Sequence, residues 1–126
     1  MALVLAGTVA AAAVPAQVGA AVSRKPQKKT FTVNDNYFGP VKSPDAPAPK
    51  VTVNRGSTIS WVWPDSTADV HDLTLIAGPK GVKQFASGES AAGFLFRRKL
   101  SVPGVYKFIC ALHEADGMKM QITVRK

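Results

Sequence analysis

Four side chains of this sequence have the types and spacing to bind one soft metal ion. Cys110, His113 and Met118 stand in one run, spaced C-x2-H-x4-M, within the segment from Tyr106 to Met118. The only other histidine, His71, lies in a separate strand-like segment. A thiolate and imidazoles bind both copper and zinc, whereas a thioether suits copper far better. Two imidazoles and a thiolate in a plane, with a weak thioether on the axis, make a blue-copper electron-transfer centre. The counts exclude other centres. One Cys cannot form an intramolecular disulfide, a four-Cys iron–sulfur centre or a two-Cys haem attachment. Two His cannot build a multi-copper centre within the chain, so any metal site here is mononuclear.

The elements that must position these residues read as short strands. Phe31 and Val33 alternate, and Asn34-Asp35-Asn36 breaks the run. A loop with Pro40, Pro44, Pro47 and Pro49 follows. Val51 and Val53 alternate before the turn Asn54-Arg55-Gly56, and Ile59, Trp61 and Trp63 share one face of the next strand. Val70 to Ile76 reads as a strand, and Gly78-Pro79-Lys80-Gly81 as a turn. Phe94 and Phe96 alternate, and Pro103-Gly104 turns the chain into strands over Val105–Cys110 and Met118–Val124. Ala86 to Phe94 has room for one helical turn, with Gly88 and Gly93 against more. Short strands punctuated by turn chemistry imply an all-β sandwich or barrel of one domain. Tyr106, Phe108 and Cys110 share a strand face, which points Cys110 into the core.

Residues 2–22 carry no charged side chain, and Ala2 to Val14 is almost wholly apolar. Small residues around Val18-Gly19-Ala20 suit a signal peptidase. The expectation is a signal peptide over 1–20, leaving 106 residues outside the cytoplasm. Retention of the run as a membrane anchor is the alternative; Pro15, Gln17 and Gly19 weaken a spanning helix. All charged side chains lie from Arg24 onward, 16 Lys+Arg against 8 Asp+Glu, for a net +8. Arg24, Lys25, Lys28 and Lys29 read as a basic, disordered leader over 21–29, before a domain over 30–126. No aromatics are interleaved with these charges, which argues against nucleic-acid binding.

The runs "YKFICALHEADGMKMQITV" (106–124) and "TISWVWPDSTADVHDLTL" (58–75) resemble the cupredoxins, and the plastocyanin-like members most. The resemblance implies a Greek-key β-sandwich of about seven to eight strands. It implies that one type 1 copper ion is held by His71, Cys110, His113 and Met118, with electrons passing through His113. In that pattern the position of Met120 is commonly small, so Met120 is expected in the core and Met118 on the metal. The family often has Asn after its first His ligand and Pro before the loop His. Here Asp72 and Leu112 stand in those places, and Asp72 is expected to change the hydrogen bonding around the ligands.

The function that follows is that of a monomeric, extracytoplasmic one-electron carrier, not an enzyme. Leu112 and Ala115 would frame a docking surface around His113, and the net charge would favour a redox partner with an acidic face. An extracytoplasmic protein that sequesters or delivers copper would use the same ligands. A purely structural or adhesive module would show no redox activity.

Overall fold

The computed structural model describes residues 10–13 and 23–126; the signal-peptide reading of 1–20 falls almost wholly outside them. Among the described residues eight strands form: β1 (Lys28–Asn34), β2 (Tyr37–Phe38), β3 (Lys50–Asn54), β4 (Ser57–Val62), β5 (Thr74–Ala77), β6 (Leu95–Leu100), β7 (Gly104–Ile109) and β8 (Lys119–Arg125). They make two four-stranded sheets, ordered β2-β1-β4-β6 and β3-β8-β7-β5. The pairs β1–β4 and β3–β8 are parallel, so the chain crosses between sheets. The other ladders are antiparallel.

Alternation along the strands sets the core between the sheets. Ile59, Trp61 and Trp63 are buried from one sheet, and Tyr106, Phe108, Ile122 and Val124 from the other. The Trp61 ring meets Phe108 across the sandwich at 5.2 Å between centroids. Its Nε1–H points at Met120 Sδ, 3.3 Å away. Met120 is therefore a core residue, and both tryptophans serve packing.

Two local expectations give way to different structure. The strand expected over 70–76 is regular only from Thr74, and its register shifts between Leu75 and Ala77. His71 instead forms an isolated bridge with Ser90, bonded both ways at 3.0 and 2.9 Å. The segment after it is drawn out by the same pairing. Ser87 N–H donates to Leu73 O, and Leu75 N–H donates to Phe85 O, so residues 86–94 are extended rather than helical. The one helical turn among the described residues is the 3-10 turn Glu114–Asp116, in the loop between β7 and β8.

The basic leader is also shorter than its sequence suggests. Lys28 and Lys29 belong to β1, paired with Thr58 and Ile59. Before them, Lys25 O accepts from Asn54 Nδ2 at 2.7 Å, and Gln27 N–H donates to Ser57 Oγ at 2.8 Å. Backbone pairing with the β3–β4 turn orders these residues despite their charge.

Candidate metal centre

β7 delivers Cys110 to one end of the sandwich, and the loop that follows folds back on its own backbone. Cys110 N–H donates to Met118 O at 3.0 Å, and Met118 N–H donates to His113 O at 3.2 Å. His113 N–H donates to Cys110 O at 3.1 Å. Gly117 supplies the left-handed residue that closes the loop, at φ +82°. Two strand ends and a short clamped loop thus hold Cys110, His113 and Met118 with little freedom.

A second segment brings His71. Its Nδ1 lies 3.0 Å from His113 Nδ1 and 3.8 Å from Cys110 Sγ, and Cys110 Sγ lies 3.5 Å from His113 Nδ1. A triangle with these sides has a centre about 2 Å from each corner, close to the 2.0–2.3 Å at which imidazole and thiolate bind a transition-metal ion. The donor set fits one soft or borderline ion. His71, Cys110 and Met118 are fully buried, while the His113 side chain is 18% exposed. The site thus reaches solvent through one ring edge. Burial pushes the Cys110 thiol above its usual range, partly offset by the Asp72 N–H donated to its sulfur. A metal would replace that proton outright.

Asp72 ties the two segments together. Its Oδ1 accepts the Ala111 N–H at 2.6 Å, and its Oδ2 accepts the Thr74 hydroxyl at 2.6 Å. A carboxylate at this place therefore performs the bridging expected of an amide, with two acceptors and no donor.

Sequence reasoning missed Asp35. Read there only as a strand breaker, it sits in the β1–β2 turn with Oδ1 2.9 Å from His71 Nε2. With Nδ1 turned to the centre, Nε2 is the nitrogen left to donate. The same carboxylate accepts the N–H groups of Asp69 (3.0 Å) and Ala68 (3.1 Å). The hydrogen bond from His71 holds the Asp35 carboxyl below its ordinary range. Asp35 precedes His71 by 36 residues, and no spacing rule joins them. Only the sheet pairing that sets β1 beside β4 does so.

The charges sort by position. The segments at this end are 34–37, 63–73, 86–94 and 110–118. They hold seven of the eight acidic residues and none of the sixteen Lys and Arg. Glu114 and Asp116 are exposed, as expected, and Asp69 stands 3.8 Å from His113 Nε2. Exposed Leu112 and Val70 complete the face. The net positive charge thus lies mostly away from these segments, although Lys50, Lys107 and Lys119 line one pocket with Glu114 at their border.

The sequence model of copper-binding proteins of the plastocyanin/azurin family matches residues 47–125. No curated protein matches the chain. Among solved structures, a Sinorhizobium pseudoazurin is similar at TM-score 0.60 and 22% identity, over 79% of this chain and 75% of that one. An amicyanin mutant in its reduced Cu(I) form gives 0.57 and 16%, over 78% and 82%. A copper-containing nitrite reductase from Thermus scotoductus gives 0.59 and 25%, over 90% of this chain but 26% of that one. The two smaller relatives establish the sandwich fold.

Proposed function

This chain belongs to the plastocyanin/azurin family of copper-binding proteins, and from that premise we propose that it is an exported one-electron carrier. Copper is its cofactor, and when bound it supplies a Cu(II)/Cu(I) couple. His71 Nδ1, Cys110 Sγ, His113 Nδ1 and the Met118 thioether would hold it. The observation that carries this reading is the buried donor triangle that reaches solvent only at His113. Cys110 supplies the thiolate. Asp72 and Asp35 hold the two ligand-bearing segments in place before any metal arrives, so little rearranges when an electron does. Burial of the other ligands leaves no open position for a substrate, which favours a carrier over an enzyme.

Electrons would enter and leave through the His113 edge, within the face formed by Leu112, Val70 and Ala115. Glu114, Asp116 and Asp69 border that face, so it fits a redox partner with basic residues around its own centre. The uncharged run 2–22 supports export of the domain, with cleavage near Ala20.

One equivalent of Cu(II) added to the purified protein is expected to give an intense visible thiolate-to-copper band and a narrow copper hyperfine splitting. Cys110→Ser should abolish both. A colourless product, or a weak tetragonal signal alone, would remove the blue-copper assignment. Rapid loss of copper to a mild chelator with no reversible voltammetry would favour copper delivery over electron transfer.

A further inference from the structure

The end opposite the metal centre is as strongly basic as the metal end is acidic. β7 runs from Gly104 at that pole to Ile109 beside Cys110, and its six residues span about 20 Å. The pole is built from residues 23–29, the β3–β4 turn at 54–57, the segments 79–83 and 98–104, and the chain at 125–126. These hold eleven of the sixteen Lys and Arg and no acidic residue. Arg24, Arg55, Lys99 and Lys126 line one open groove there with Pro26 and Val102. Arg55 Nε–H donates to Ser101 O at 3.1 Å, and this fixes one guanidinium on the rim. Val102 is an apolar side chain exposed among these charges. Ser23 also lines the groove.

We propose that the basic pole docks on the headgroups of an anionic bilayer, with the His113 end turned away from the membrane. Charge complementarity supplies the attraction, at about fivefold in affinity for each Lys or Arg near the surface. A bilayer fits better than a nucleic acid for three reasons. The groove has no aromatic side chain for base stacking. An exposed Val and two prolines suit an interface with an apolar side. The acidic metal end is repelled by the same surface, so one orientation is favoured. The proposal is independent of the copper assignment, because none of these residues touches the donor triangle.

The test is co-sedimentation of the full chain with vesicles of phosphatidylcholine alone and with a 30% phosphatidylglycerol fraction. The expected result is binding that requires the anionic lipid and is lost as NaCl rises from 0.05 to 0.5 M. Lys25→Gln with Lys99→Gln should weaken it about 25-fold, from the fivefold for each charge. An unchanged far-UV spectrum would verify that this variant folds. Equal, salt-insensitive binding to both vesicles would overturn the proposal and assign the interaction to the apolar run. Absence of binding, or a variant that binds as the parent does, would overturn it too. Tighter association with a 20-base-pair DNA duplex than with the anionic vesicles would replace the bilayer by a nucleic acid.

Discussion

Asp35 and Asp72 act on the same ligands from two sides, and they differ in what a substitution would reveal. Asp72 is buried and joins segments, so its removal costs structure first. Asp35 has a 41% exposed side chain and touches His71 at its outer nitrogen. A carboxylate there makes the imidazole a stronger donor and favours the more highly charged Cu(II). Asp35→Asn keeps an acceptor oxygen and removes the charge. Cu(II) affinity is expected to fall about tenfold, the lower end of what outer partners of a ligand contribute, since solvent screens this group. With Cu(I) affinity less affected, the reduction potential should rise by about 60 mV, the one-electron equivalent of a tenfold change. Protein-film voltammetry of the two proteins measures it directly, and a potential within about 10 mV of the parent would deny Asp35 this role.

At the scale of elements, β8 and the residue just before it carry two methionines with opposite duties. Met118 ends the clamped loop, whereas Met120 accepts the Trp61 N–H between the sheets. Met118→Leu should leave stability within about 1.5 kcal/mol, as volume-conserving swaps do, and should change the visible spectrum and the potential. Met120→Leu should leave the spectrum intact and cost about 1–3 kcal/mol, because a buried N–H loses its acceptor. Chemical denaturation and the copper spectrum of both variants separate the assignments, and exchanged outcomes would make Met120 the ligand. The sequence made the strands legible wherever alternation was strict, as in Ile59-Trp61 and Tyr106-Phe108-Cys110. The loop from Cys110 to Met118 was legible because a thiol, an imidazole and a thioether crowd a short span. Other features came from pairing between distant segments. The bridge of His71 to Ser90 overrides the β-like pattern of 70–73, and the reach of Asp35 to His71 depends on a parallel β1–β4 ladder. The basic leader misled because charge signals disorder, while its backbone is bonded to Asn54 and Ser57.

For the whole molecule, a net +8 hides a dipole, and the distance over which charge is felt decides which part a partner meets. The Debye length is about 30 Å at 0.01 M salt and about 10 Å at 0.1 M. The poles lie about 20 Å apart along β7. At 0.01 M a small redox complex approaching His113 therefore senses both ends, and the net positive charge repels a cation. At 0.1 M the basic pole is screened, and Glu114, Asp116 and Asp69 dominate the local field. Oxidation of the reduced protein by a cationic cobalt(III) complex should then slow as salt rises from about 0.1 to 0.5 M, since the remaining interaction is attractive. Below about 0.03 M the same rate should flatten or fall, as the far pole comes into range. An anionic iron complex should show the opposite slope above 0.1 M. Stopped-flow rates across this range test the arrangement. A cationic rate that climbs steadily with salt throughout would mean that net charge alone steers the encounter and that the acidic ring around His113 plays no part in choosing a partner.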